Sequence, residues 1–346
     1  MSRLNEMRMY TWNSQGLNYV DTNLGLKEKQ EYFKNSEGES IKDLEDAFKA
    51  YEYGLSDETK SENKEFRNFS IYRDVEGKKD FESIELKLDD ENNILVAGID
   101  INARENSESS FLISAIGEGE NLYLNSQVRV NVANKAKVKL VVVTNFGESS
   151  TNLQSITTIV GEDALLDISY IEIGADYSVV NIKNILKGDR AQVIEDGIYF
   201  KEKDQFLDIL ANNDHYGNDT DSDAMFNGAL KDNAHKNWKG VVDLKHGCSK
   251  ADGKIGDYSM MFSDNVKNKT APILLCTEKE VAGNHAASVG RLNKEMLFYI
   301  MSRGFDKKQA ESMMLEATFS KALDKIEDES LRDELKETVH KMNTRN

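Results

Sequence analysis

Residues 128–200 read VRVNVANKAKVKLVVVTNFGESSTNLQSITTIVGEDALLDISYIEIGADYSVVNIKNILKGDRAQVIEDGIYF. Short runs rich in Val, Ile, Leu and Tyr are separated by Gly, Asn and Asp turns, which is the pattern of strands. The same signal extends from about residue 84 to 263. No helical segment of about 10 to 15 residues interrupts it, which disfavours a doubly wound α/β sheet.

The turns also resemble one another. ANKAKV around Ala136, GEDALL around Ala164, GDRAQV around Ala191, KDNAHK around Ala234, KHGCSK around Cys248 and SDNVKN around Val266 each set a small or modest apolar residue after a polar turn. Their steps are 28, 27, 43, 14 and 18 residues, mostly close to multiples of about 14. A stacked solenoid needs such a step, because each coil repeats over the one before. On these residues alone a parallel β-helix and an ordinary β-sandwich stand about even.

On either side the texture changes. Between residues 24 and 69 the chain is charged and helix-favouring, and Ile41, Leu44, Phe48, Tyr51 and Leu55 predict an amphipathic helix. Residues 58–67 read as a solvated continuation or linker. Pro272, the only proline, has no N–H for a sheet ladder, so a turn or a sheet edge is expected there. Residues 281–290 are small and flexible, with His285 among Gly283, Ala286, Ala287 and Ser288. A helix over 294–303 is capped by Asn293 and stopped by Gly304. A second helix starts at Asp306 with Ala310, Met313, Met314 and Ala317 on one side, and a third carries Leu331, Leu335, Val339 and Met342. These helices need a surface, either the open end of a solenoid or a partner.

Composition narrows the function. A net charge of −17 opposes binding to phosphate backbones or anionic lipid surfaces, so nucleic acid is not an expected partner. The start, MSRLNEMRMYTWNSQGLN, has no apolar h-region, and no run of about 18 apolar residues follows, so membrane insertion is not expected and the cytoplasm is the expected compartment. Cys248 and Cys276, the only cysteines, are too few for a disulfide framework or a closed all-thiolate site. Five residues rather than four separate Gly247 from Gly253, and Ile255 stands where a Walker motif needs Ser or Thr, so no nucleotide site is expected.

Residues 285–304, HAASVGRLNKEMLFYIMSRG, resemble the C-terminal signature of the SufB/SufD family of iron–sulfur cluster assembly scaffolds, through His285, Ala286, Val289, Gly290, Leu292, Glu295, Leu297, Phe298, Tyr299, Ser302, Arg303 and Gly304. The resemblance covers the chain well from about His215 onward. It implies a mainly β fold, a right-handed parallel β-helix flanked by N- and C-terminal α-helical regions, with 1–80 largely helical, 81–284 the β-helix core and 285–346 the C-terminal helical region. It further implies a non-catalytic subunit working with a SufC-like ABC ATPase and with a SufB-like subunit. A transient iron–sulfur cluster or iron would be shared with that partner. The chain looks closer to SufD, since Asp257 and Ala286 stand where SufB-type chains are expected to carry a cysteine and a glutamate. His285 is then the candidate iron or cluster ligand and Cys276 a second one, while Phe298, Tyr299, Arg303 and Gly304 are candidates for the partner-docking surface. A self-contained homodimeric scaffold is the alternative, and a β-helix enzyme acting on polysaccharides a more distant one.

Overall fold

The computed structural model describes residues 2–10, 13–32, 43–291 and 293–344. After a small antiparallel pair, β1 (Ser2–Leu4) and β2 (Val20–Thr22), and two short helices, α1 (Glu45–Phe48) and α2 (Asp57–Phe66), sixteen strands wind into a parallel β-solenoid of eight coils. One sheet stacks β3 (Phe69–Val75), β5 (Ile94–Ala103), β7 (Leu122–Val132), β9 (Ser150–Val160), β11 (Tyr177–Leu186), β13 (Phe206–His215), β15 (His235–Leu244) and β17 (Lys267–Cys276). The other stacks β4 (Glu82–Leu88), β6 (Glu108–Gly117), β8 (Lys137–Phe146), β10 (Leu165–Gly174), β12 (Gln192–Lys201), β14 (Asp221–Leu230), β16 (Asp252–Met261) and β18 (Ala282–Arg291). Three helices follow: α3 (Lys294–Ser302), α4 (Lys307–Leu323) and α5 (Glu329–Thr344).

The recurrent turns are the corners of this coil. Lys135, Asp163 and Arg190 take positive φ there, and the next residues, Ala136, Ala164 and Ala191, point inward and are buried. A small side chain fits because the chain bends sharply and the next coil lies directly above. Each corner donates a backbone N–H to the following one, as from Lys135 to Glu162 O (2.7 Å) and from Arg190 to Asn218 O (2.8 Å). One coil is therefore about 28 residues and half a coil about 14, which is why the steps in sequence cluster near those values.

Strand alternation sends every second side chain into the space between the sheets. That core includes Leu140, Ile168, Tyr170, Ile182, Ile209, Phe226 and Trp238. It also holds charge. Lys201 and Glu172 face each other with no exposed side-chain surface, at 2.8 Å, and Glu172 further accepts from Tyr170 Oη (2.6 Å), Asn152 Nδ2 (3.0 Å) and Ser178 Oγ (2.5 Å). Burial pulls the Lys201 pKa down and Glu172 opposes it.

The flanking segments cover opposite outer faces. On the even-numbered sheet, α4 crosses β10, β12 and β14, and Leu315, Phe319, Leu323 and α5's Leu335 and Val339 pack on Val143, Ile171, Ile173 and Phe200. The C-terminal helices thus lie along the flank and do not close the solenoid's end. Leu331, Leu335 and Val339 form the stripe read from the sequence; the side chain of Met342 lies outside the described residues. In α4 the buried side is Ala310, Leu315, Phe319 and Leu323 rather than the Met313–Met314 side, and Met313 is exposed. Lys325 fixes the crossing with ion pairs to Asp167 and Asp196, both 2.6 Å.

The N-terminal part departs most from its sequence reading. Among the described residues of 1–80 only α1 and α2 are α-helical, and the expected amphipathic helix shrinks to four residues; Ile41 lies outside the described residues. Phe48 and Leu55 are still buried, but against separate apolar patches on the odd-numbered sheet, which a draped chain reaches and a straight helix does not. The polar stretch after Leu55 is α2, capped by Ser56 and Thr59, with Asn63 buried and donating to Ala97 O (2.9 Å) and Asn125 O (3.0 Å). At the other boundary the solenoid continues to Arg291, so His285 lies on a strand and not at the head of the helical region.

Replacing Lys201 with Met leaves Glu172 buried without its cation, and is expected to cost about 3–5 kcal/mol. Urea unfolding should show this as a lowered midpoint, with much of the loss recovered when Glu172 is also changed to Leu.

Candidate functional site

β17 and β18 form the last coil, and among the described residues each pairs on one side only. The edge suits Pro272. Lys267 and Thr277 donate their N–H groups toward the preceding coil, to Ala234 O and Leu244 O, so by alternation an N–H at position 272 would face the open side. A proline there breaks no ladder bond. The strand beside it is made by stacking: residues 282–291 are mostly small, yet each pairs in register with β16, Ala282 on Asp252 through Arg291 on Met261.

Register also fixes which way the candidate ligands point. Ile255, Asp257 and Ser259 face the interior and are buried; their partners on β18 are His285, Ala287 and Val289. His285 therefore points to the same side as Ile255, but no coil stacks above it, and it is exposed. Cys276 stacks on the buried Leu244 in the same way and is also exposed, its Sγ 3.1 Å from Glu278 O. A Cβ placed on Gly283 would lie 2.7 Å from Leu274 Cδ1, so these two residues face each other across the mouth. From that pair Cys276 lies two residues toward the connecting turn and His285 two residues away from it. The two candidates share the mouth without being opposite one another, and no group of three or more His, Cys, Asp or Glu side chains able to hold a metal ion occurs among the described residues.

Beneath them lies a polar cluster that sequence reading did not foresee. Asp257, under Ala287, is ion-paired with Lys236 and accepts from Tyr199 Oη (2.7 Å) and Thr270 Oγ1. Lys236 Nζ also reaches Ser259 Oγ (3.1 Å) and Asn268 Oδ1 (3.1 Å). Burial lowers the pKa of Lys236 and raises that of Tyr199. The available signal was parity: once Trp238 is assigned inward, Lys236 must be inward too, and a buried ammonium requires a carboxylate. Cys248 is a buried corner residue whose thiol is pushed up to about 11, chiefly by burial, which makes it a poor thiolate at neutral pH.

The docking candidates are brought together on α3. Asn293 caps it through Glu295 N (3.0 Å) and Met296 N (3.1 Å), and Gly304 ends it at φ +102°. Arg303 lies 5.1 Å from the Tyr299 ring centre and donates to its hydroxyl at 3.1 Å. No α3 residue is buried. Phe298 is 75% and Tyr299 54% exposed, with Met296, Met301 and Phe305 also exposed nearby. Leu292 of the signature lies outside the described residues.

Comparison with known proteins gives a family model, described as "SUF system FeS cluster assembly, SufBD core domain", matching residues 86–318. The iron–sulfur cluster assembly protein SufD of Bacillus subtilis is 30% identical over 127 residues, 37% of this chain and 29% of that protein. A SufBD family protein of Mycobacterium leprae is 25% identical over 58% of this chain and 53% of its own length. The SufD of Escherichia coli is 20% identical over 62% and 50% respectively. The chain spans about half the length of the curated relatives it matches, and less of the Bacillus one.

Two measurements follow from this placement. His285→Ala, at an exposed edge, should leave the thermal midpoint within about 1 °C, since surface changes are usually within about 0.5 kcal/mol. His215 is buried between Thr220 Oγ1 and Ser222 Oγ, both 2.8 Å away, and burial lowers its pKa from 6.5 to about 4. Between those values the unfolded chain binds a proton that the folded chain refuses, so this residue's contribution to stability falls as pH drops from about 6.5 to about 4. Unfolding curves across that window should be less pH-dependent in His215→Gln than in the parent.

Proposed function

The chain belongs to the SufBD core-domain family of the SUF iron–sulfur cluster assembly system, and we propose that it acts there as a SufD-like, non-catalytic scaffold subunit in the cytoplasm. The observation that carries this reading is the last coil: two open strand edges beside an outward-facing His285 and Cys276, at the end of the solenoid in a chain whose residues 86–318 match the family model. A free edge is a template for pairing with another chain. The partner would be a SufB-like subunit. Because nothing about an open edge distinguishes a relative from an identical chain, a homodimeric scaffold is the second reading.

Imidazole and thiolate are suitable ligands for iron and iron–sulfur clusters, yet two such groups fall short of the usual four. A nascent cluster, as cargo, would take its remaining ligands from the partner or from sulfide. His285 would be the leading ligand on this chain and Cys276 an accessory one. α3 is the proposed docking face for a SufC-like ABC ATPase, because Phe298 and Tyr299 are large and exposed, and Arg303 steadies Tyr299. ATP binding and hydrolysis would be that partner's work.

The deciding measurement is light scattering after anaerobic gel filtration of this protein with the SufC-like and SufB-like proteins of its own source organism. A ternary complex is expected. A complex with the ATPase containing two copies of this chain would select the homodimer, and no complex with either would remove the proposal. Within the ternary complex His285→Ala should lower cluster formation, read from visible absorbance, and Phe298→Ala should weaken ATPase capture on the order of tenfold or more.

A further inference from the structure

The two outer faces of the solenoid are covered by different chemistry. Under α4 and α5 the even-numbered sheet presents Val141, Val143, Ile171, Ile173, Ile198 and Phe200, an apolar surface. Under the N-terminal segment the odd-numbered sheet presents Lys183 on β11, Asp208 and Asp214 on β13, and Lys239 and Asp243 on β15, all buried. Residues 5–10 lie over this charged face. Asn5 Nδ2 donates to Val180 O (2.9 Å) and Asp208 Oδ1 (2.8 Å), and Arg8 spans Asp214 (3.6 Å), Asp243 (3.4 Å) and Glu52 (3.2 Å). A cleft of about 430 Å³ remains between this strap, the turn into α2 and the sheet.

We infer that residues 5–10 form a reversible cover, which lifts from the outer face of β11, β13 and β15 while the solenoid stays folded. Charge balance carries the argument. Each carboxylate of the face already has a lysine from the solenoid itself: Asp208 with Lys239 (2.7 Å), Asp214 with Lys183 (3.2 Å), and Asp243 with Lys245. Arg8 is a surplus cation for the face, so its departure leaves no buried carboxylate without a lysine and releases only Glu52, which is largely exposed, while the charged floor gains hydration that an apolar floor could not use. The hinge is also present. Leu4 is buried with Leu55, Tyr123, Leu153 and Val179, whereas the next residue, Asn5, takes φ +49° and turns the chain out across the strands. Leu4 thus stays anchored when the following residues swing. Opening would bare a polar, self-neutral face beside the edge strand β17, and so would control access to that face.

Hydrogen exchange of the full chain tests this without any partner, so its outcome is separate from that of the assembly proposal. Met7 N–H, bonded to Asn18 O at 2.8 Å, reports the strap, and fragmentation that resolves single amides separates it from β13 and β15. Met7 is expected to exchange on the order of 100-fold faster than the amides of β13 and β15, as a locally opening segment does. Arg8→Gln should raise that rate by roughly tenfold more, leave β11 to β17 unchanged and keep the melting temperature within about 2 °C. Lys239→Met, which strands a buried Asp208, should lower it by several degrees, confirming that the face is balanced by its own lysines. The inference is overturned if Met7 is as protected as β13, or if Arg8→Gln deprotects β13 and β15 together with the strap.

Discussion

Backbone pairing in strict register, coil on coil, is the constraint from which the other features follow. Leu166, Val193, Ser222 and Gly253 fall in one line because β10, β12, β14 and β16 pair without slippage. A shift of one residue would send every interior side chain of that coil to the outside. The corners hold the register, since the hydrogen bonds between successive positive-φ turns fix where each strand starts. Once the line is fixed, a polar side chain on an inward row has no route to solvent and must find its partner between the sheets. The Lys201–Glu172 and Lys236–Asp257 pairs are that requirement met twice.

The same constraint produces the exposed mouth. A solenoid satisfies each coil with the next, so its last coil has nothing above it, and whatever stands on that coil's inward rows is presented outward. His285 and Cys276 owe their exposure to position in the stack rather than to local sequence. Ile255 and Leu244, one coil below, are on the same rows and are buried. The placement also explains how a proline and a run of small residues can serve as strands: neither needs to donate on the open side, and the ladder beneath supplies the pairing that weak β propensity does not.

How much of this was legible depended on whether the deciding interaction was local. Ala136, Ala164 and Ala191 follow polar turns because the corner geometry is local, so the coil could be read from them. Asn293, Asp306 and Gly304 mark helix ends through bonds within a few residues, and they were read correctly. The stretch from Ala282 to Arg291 has no local signal for a strand; only its partner on β16 makes it one. The amphipathic period around Phe48 and Leu55 misled because both residues are buried for different reasons, in different patches. In α4 the methionines matched a helical stripe, but the sheet beneath selected Leu315 and Phe319. Lys236, Lys183 and Asp214 gave no sign of burial, since a charged residue in a strand reads as surface until its row is known.

The contrast between the outer faces gives the molecule a direction. On the even-numbered side, burying Phe319, Leu323 and Leu335 against Ile171 and Phe200 is favoured at about 25 cal/mol per Å² of apolar surface, and the charged groups of that contact are few, Lys325 with Asp167 and Asp196, so the helices there are a permanent part of the fold. On the odd-numbered side the gain from contact is set against dehydrating three carboxylates and their lysines, which offsets part of it. The apolar share of that contact lies mainly in two patches, Leu4 with Leu55 and Leu44 with Phe48, and the strap itself adds Met7. One flank is therefore fixed by the hydrophobic effect along its length, and the other is held at its apolar patches and more lightly over the charged rows. Since β17 borders the lightly held flank and α3 follows β18 on the firmly held side, the free end of the solenoid joins a rigid platform to an adjustable one.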